Sequence, residues 1–454
     1  MTAATILPTP VRFPRLLLPT TLPVDPTDLA AAVEAGAFSG LRKAVENLRP
    51  IGVIKAIAES GMLGRGGAGP GRSSGIGEKW RMCANTMADR HYVVINAYQS
   101  DAAVLTDRVL LETNPFAVLE GAAIAAFAIG ATEVIVAVRA EAANTIRVLE
   151  TAIAVAEGAG YLGSSVLGTA TEIYVSVKPL QGSYMLGEET VLLKGLEGKR
   201  GQPEQQPPYT TTRGLFGAPT LIHGPQTFAA VPTILNGGLA GFEETSPRAF
   251  AGTVLVQLSG AVAHPGIAEV PFGATLREVV DVAGGVPSGH KLKAVLVGGP
   301  SGGILPPEGL NVIFDHRNLE QAGVHLGSGS IVVIDQHTCV VDLAATLTRF
   351  CADEACGKTI PCRIGLRRLA EIGARFCDGQ PRGDDVTRLL DLSHDIVESA
   401  LCDHERRATL ALQSVVRYFP EELDAHILRN SCPAGICHPK AETRAGRSAE
   451  ASHA

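Results

Sequence analysis

The sequence of 454 residues predicts an α/β protein, with a smaller strand-rich unit behind the first and a helical bundle at the end. Three observations carry this. Short apolar, β-branched runs alternate with helical patterns over the first half, as in a mostly parallel sheet. Glycine pairs then punctuate short β-runs between residues 251 and 306. After Asp342 the apolar spacing turns helical four times in succession. At about 150 residues per domain the length suits roughly three domains.

Residues 1–40 read as an extended arm, rich in Pro and Thr and then helical near Asp28 to Ala35. Gly40 to Gly61 carries Leu41, Val45, Leu48, Ile51, Ile54 and Ile57 at helical spacing. It leads into Gly64-Arg65-Gly66-Gly67-Ala68-Gly69. Backbone N–H groups of such a loop can form an anion-binding concavity, which points to a phosphate-bearing cofactor. A tight turn is the plain alternative, and the spacing is not the dinucleotide pattern Gly-x-Gly-x-x-Gly. Lys79 could pair with a phosphate as a point charge, and a solvated surface lysine is the plain alternative.

His91 to Ala97 reads as a buried strand with Asn96 at its end, where ligand-facing residues of α/β sheets lie. Two helical stretches follow in Leu105 to Gly130, then strands at Thr132 to Val138 and Glu172 to Val177. Gly187-Glu188-Glu189-Thr190 offers paired carboxylates for ribose hydroxyls or an amide, or else a helix N-terminus. Lys199 to Pro208 and Leu215 to Pro219 are loops long enough to be functional. Strands at Thr253 to Leu258 and Lys293 to Val297 around a helix at Thr275 to Ala283 suggest a β-grasp unit. Ser328 to Asp335 is a further strand. Helices at Leu343 to Phe350, Arg363 to Ile372, Asp384 to Ala400 and Ala408 to Phe419 make a four-helix bundle. The expected boundaries are an arm (1–40), an α/β domain (41–245), a β-grasp domain (246–330), a helical domain (331–425) and a Cys/His tail (426–454).

A net charge of −7 argues against a nucleic-acid partner. The apolar run from Leu119 to Ile129 is too short to span a bilayer, so no direct membrane insertion is expected. Residues 1–22 lack the apolar core of a signal peptide, and a cytoplasmic location is expected. Eight of the nine cysteines lie after residue 338, which favours metal binding over disulfides in such a chain. Cys356 and Cys362 would belong to Cys-x2-Cys-x2-Cys if Thr359 were cysteine. With Cys402 as the distant member, that pattern holds a [4Fe–4S] cluster. Cys351 or Cys377 could supply the missing thiolate, or the cluster is lost and the thiols are packed. In the tail, His426, Cys432 and Cys437 offer one imidazole and two thiolates for structural zinc, with His438 as a competing ligand.

Taken in order, several motifs resemble one family. They are GRGGAG at 64–69, Lys79-Trp80, Asn96-Ala97 with Ser100, Asp107-Arg108, GEET at 187–190 and LEGKRGQP at 196–203. GLFGAPT at 214–220, GGPSGGIL at 298–305, the cysteine block and CPAGIC at 432–437 continue the series. The family is the flavin-carrying NADH-dehydrogenase subunit of respiratory complex I, shared with NAD-linked formate dehydrogenases and electron-bifurcating hydrogenases. The resemblance implies a Rossmann-like FMN/NAD domain, a β-grasp domain of the soluble-ligand-binding type and a helical iron–sulfur domain. It implies hydride transfer from NADH to FMN and one-electron transfer onward to iron–sulfur centres. The implied FMN cradle is Gly64 to Gly69, Lys79, Asn96, Gly187, Glu188, Glu189 and Thr190, with Ser100 and Thr220 among the motif residues. Glu189, Lys199 and Tyr209 are expected to face the nicotinamide nucleotide. Cys339 is added to the zinc set by the same resemblance. So are two partners, a thioredoxin-like [2Fe–2S] subunit and a larger catalytic oxidoreductase subunit.

There are departures. A longer segment, starting at Pro70, separates the glycine loop from Lys79 and lacks the family's aromatic. Tyr98 stands where a carboxylate meets the flavin ring, His223-Gly224 replaces paired asparagines, and Thr359 interrupts the cluster motif. Two readings remain: a working FMN/NAD(H) subunit, or a divergent paralogue kept for assembly or electron relay.

Overall fold

In the computed structural model, residues 5–19, 25–66, 75–243 and 252–437 are described. The first sheet holds β1 (Tyr92–Ala97), β2 (Glu133–Arg139), β3 (Tyr174–Leu180) and β4 (Thr220–His223). All pairs are parallel, in the order β3-β2-β1-β4. Parallel neighbours need long crossovers, and helices supply them. Thr106–Thr113 and Pro115–Ile129 link β1 to β2, and Ala143–Gly158 links β2 to β3. Pro115–Ile129 is apolar except for Glu120 and is buried nearly all round. No single described helix is long and apolar enough to cross a membrane.

The helical stretch from Gly40 to Gly61 is broken. Ser39–Lys43 passes through a π-turn (Ala44–Leu48) into Arg49–Glu59. Pro50 disfavours α geometry in the residue before it, and Arg49 sits at φ 60°. The helix Pro225–Glu243 closes the core against Pro115–Ile129. There Gly121 touches backbone: a Cβ would stand 1.9 Å from the Phe228 carbonyl oxygen. Gly121→Ala is therefore expected to cost at least about 1–3 kcal/mol. A fall in Tm of roughly 5 °C or more in a melting curve checks it.

The second sheet holds β5 (Thr253–Gly260), β6 (Gly266–Pro271), β7 (Leu292–Val297), β8 (Gly303–Leu305) and β9 (Ser330–Asp335). Its order is β6-β5-β9-β7-β8, with β5 and β9 parallel and the other pairs antiparallel. The helix Leu276–Asp281 carries a capping box from Thr275 and Glu278. This is the expected strand-rich unit, but β9 is its central strand, so the sheet continues past the boundary at 330. Behind it lie Val340–Asp353, Leu366–Cys377, Asp385–Glu398 and Leu410–Tyr418, with Pro420–Leu428 as a further helix.

The N-terminal arm has a structural task. Ile6 pairs with Ile267, and Leu7 and Phe13 join the core of the second unit. The backbone N–H groups of Leu16, Leu17 and Leu18 all donate to the buried Glu269 carboxylate, as does the Thr253 hydroxyl. Leu17 and Leu18 then pack into the core of the first unit.

Candidate functional site

The strand order fixes where a ligand can enter. The chain runs outward from β1 to β2 and β3, then returns to β4 on the other side of β1. Loops diverge at such a switch point and leave a crevice beyond the strand ends. Asn96 lies at the end of β1, one residue before its last, and His223 ends β4. A cavity of about 490 Å³ opens beside them.

Of the residues expected to bind FMN or the nicotinamide nucleotide, Gly64, Gly66, Lys79, Asn96, Ser100, Gly187, Glu188, Glu189 and Tyr209 line this cavity. Asn96 donates from Nδ2 to the Gly187 carbonyl at 2.8 Å. A Cβ on Gly187 would meet Ser100 Oγ at 2.5 Å, so only glycine allows that approach. Lys79 Nζ lies 2.7 Å from Glu189 Oε2, and Gln206 donates to the other oxygen at 3.1 Å. Glu188 accepts from the backbone of Thr190 and Val191 at 2.9 Å each and from the Thr190 hydroxyl at 2.6 Å. Glu188 thus caps the helix Glu189–Leu196, with Thr190 as its partner in the first turn.

Other expected residues are placed elsewhere. The Arg65 guanidinium is buried, donates to Thr253 and Leu63 carbonyls and lies over the Phe272 ring. It ties the two sheets together, and burial pulls its pKa down to about 10. Lys199 is exposed and pairs with Glu197 at 2.8 Å, outside the lining. Thr220 is wholly buried; it accepts from the Leu215 N–H and donates to the Ala218 carbonyl. Tyr98 does not reach the cavity either. Its ring fills a core under Arg139, and its hydroxyl donates to the Gly182 carbonyl. Gly67, Ala68, Gly69 and Pro70 lie outside the described residues.

His223 accepts a hydrogen bond from Trp80 Nε1 at 3.0 Å through Nε2, which puts its own proton on Nδ1. Burial, with Lys79 nearby, keeps this imidazole neutral.

The cavity also suits a polar guest. Among the described residues nothing partners the buried Thr210 Oγ1, Thr211 Oγ1 and His404 Nδ1, and all three residues line it. Native proteins rarely leave such atoms unsatisfied. A Cβ on Gly64 or Gly66 would meet no described atom within 4 Å, and both glycines line the cavity. These features fit a phosphorylated, hydrogen-bonding cofactor.

The wall is shared with the helical domain. Asp403, His404 and Arg407 line the cavity, and Cys402 packs with Met185 and Leu186 beside it. Cys356, Cys362 and Cys402 converge: burial, Glu405, Cys402 and Cys356 together push the Cys362 thiol up. Three thiols at this spacing suit an iron–sulfur cluster. Neither expected substitute for the missing thiolate is here. Cys351 donates to the Pro300 carbonyl at 3.4 Å, and Cys377 lies against Cys437.

The tail forms a second cluster. Cys339, His426, Cys432 and Cys437 place their ligand atoms within 4.8 Å of one another. Cys339 Sγ is 3.4 Å from both His426 Nε2 and Cys437 Sγ. His426 Nδ1 donates to the Glu422 carbonyl at 2.8 Å, which turns Nε2 toward the thiols. His438 lies outside the described residues.

Comparison with known proteins places this architecture. Residues 57–233 match the Nuo51 FMN-binding domain, 255–305 the SLBB domain, and 342–426 the NADH-ubiquinone oxidoreductase-F iron–sulfur binding region. An NADH-quinone oxidoreductase subunit of Mycobacterium bovis is 38% identical over 400 residues, 87% of this chain and 89% of that one. This chain belongs to the NADH-ubiquinone oxidoreductase-F family. Another relative is the NADP-reducing hydrogenase subunit HndC of Solidesulfovibrio fructosivorans. It is 37% identical over 415 residues, 91% of this chain and 84% of that one. A crystal structure of NAD+-reducing [NiFe]-hydrogenase in the H2-reduced state superposes with a TM-score of 0.78 at 28% identity. The match covers 93% of this chain and 70% of that one.

Within this oxidoreductase-F frame, sequence reasoning missed Thr210, Thr211, Tyr184, Ser301, His404 and Arg407. Thr210 and Thr211 belong to a threonine triplet after a proline-rich loop, a signal too weak to read alone. The others reach the cavity only because three units meet there.

Proposed function

We propose that this chain is the electron-input subunit of a multi-subunit oxidoreductase, with NAD(H) as its substrate. The observation that carries the proposal is the cavity between β1 and β4. It combines a glycine backbone, buried polar atoms that no described residue satisfies and a wall that continues into the Cys402 segment. Bound FMN supplies the exchange between two-electron and one-electron transfer. Gly64 and Gly66 let the backbone come close to a phosphate, and Lys79 adds a positive charge. Glu189 holds that lysine and takes ribose hydroxyls, while the half-exposed Tyr209 offers its ring at the mouth. His223 Nδ1–H, Thr210 and Thr211 are donors for the polar edge of the flavin. Cys356, Cys362 and Cys402 hold the iron–sulfur centre. Cys339, His426, Cys432 and Cys437 hold structural zinc, a donor set of the Cys3His kind. A thioredoxin-like [2Fe–2S] subunit and a larger catalytic subunit are the partners such an input implies. A relay subunit that has lost NADH oxidation is the second reading, favoured by Thr359 and by Tyr98 turning away from the cavity.

The test is a visible spectrum of protein isolated anaerobically, before and after NADH. A flavin band at roughly 450 nm that bleaches supports the input role. Bound flavin that ignores NADH supports the relay reading. Lys79→Met is expected to weaken FMN retention about 10–100-fold, the worth of a charged hydrogen bond. Fluorescence titration with FMN measures it, and unchanged affinity removes Lys79 from the cradle.

A further inference from the structure

We propose that Glu405 is the fourth protein ligand of the iron–sulfur centre at Cys356, Cys362 and Cys402, and that Thr359 positions its carboxylate. This rests on the cluster assignment above.

At position 359 the spacing calls for a thiolate, and a threonine hydroxyl is a poor substitute. The Thr359 side chain does not point into an empty place. Its hydroxyl donates to Glu405 Oε1, and the Leu401 N–H donates to Oε2. Glu405 is only 3% exposed. Its charge lies near the Cys362 and Cys402 thiols, and the Cys362 N–H donates to the same Thr359 hydroxyl at 3.4 Å.

Among the described residues no cation pairs with Glu405. The neighbouring Arg406 and Arg407 both turn to Asp403. Burying a carboxylate costs several kcal/mol unless a positive charge meets it. The thiols beside it, Cys362 and Cys402, are iron ligands and not counter-ions. A cationic iron at the centre of the four resolves both anomalies at once. Three thiolates and a carboxylate carry the same formal charge as four thiolates, so the count of anionic ligands that Thr359 reduces is restored by Glu405. Carboxylate oxygen is an accepted donor to iron. Hydrogen bonds from Thr359 and Leu401 orient the carboxylate as outer-shell groups orient metal ligands elsewhere. One iron of the cluster is then bound through oxygen and three through sulfur.

The experiment reconstitutes the full chain anaerobically with ferrous iron and sulfide. It records iron and sulfide content, Mössbauer spectra and electron paramagnetic resonance. The wild type is expected to hold about four irons per chain, one with a distinct Mössbauer signature. Glu405→Gln is expected to fall to about three, with the resonance of an oxidised three-iron cluster. Adding Thr359→Cys to that variant is expected to restore about four irons with all sites alike. A Glu405→Gln protein with unchanged iron and spectra overturns the assignment of Glu405 and leaves the cluster standing. A wild type that holds only three irons does the same, and needs no variant to fold. A wild type that takes up no iron overturns the cluster and this proposal together.

Discussion

Gly66→Leu is expected to lose FMN while unfolding at the wild-type temperature. The two effects separate because of what surrounds Gly66. Its Cβ would meet no described atom within 4 Å, and its φ lies outside the left-handed range, so no described residue bars a side chain there. The side chain is expected instead to intrude on the cavity that Gly64 and Gly66 line. A loss of about 100-fold in affinity, or roughly 2.7 kcal/mol, is the expected scale. FMN titration by fluorescence and a melting curve read the two effects independently. Gly121→Ala should show the opposite pattern, with a lower Tm and no direct effect on the cavity. Undiminished affinity in Gly66→Leu would move the phosphate away from the loop.

Cys432→Ser is expected to cost about one equivalent of zinc per chain, because a four-ligand site rarely keeps its metal on three. Structural zinc contributes an apparent ~10–16 kcal/mol in small zinc domains, so the loss has structural consequences. The segment that carries Cys432 and Cys437 is half-buried against Cys339 at the head of Val340–Asp353. Without metal it is expected to become a protease site, read by limited proteolysis beside elemental analysis. Unchanged zinc in the variant would exclude this ligand set.

Much of the fold was legible because its elements carry strong local patterns. β1 and β2 are apolar, β-branched runs, and the C-terminal helices show clear amphipathic spacing. β4 has only four residues and follows a glycine-rich turn, too little for periodicity to register. The arm was unreadable for a different reason: its partner, Glu269, lies far away in the chain and belongs to another sheet. Motif membership also failed to separate contact from support. Arg65 and Thr220 sit inside motifs that surround the cavity, yet their side chains hold the walls up from behind. The tail fared better, since Cys339, His426, Cys432 and Cys437 meet although Cys339 is remote in sequence. The role of Glu405 had no local signal, because a lone glutamate after Cys402 reads as surface until its burial beside Thr359 is seen.

The clamp on Glu269 has a consequence for biosynthesis. Leu17 and the carboxylate that holds it are separated by 252 positions. A chain emerging from the ribosome makes the arm first and its anchor long afterward. Until β6 has been translated, Leu17 and Leu18 have no place to tie their N–H groups, and the first sheet must wait with that edge of its core open. Closing so long a loop is slow relative to local contacts. Nascent chains halted before residue 269 should therefore expose apolar surface and recruit chaperones, and those halted after the second sheet is complete should not.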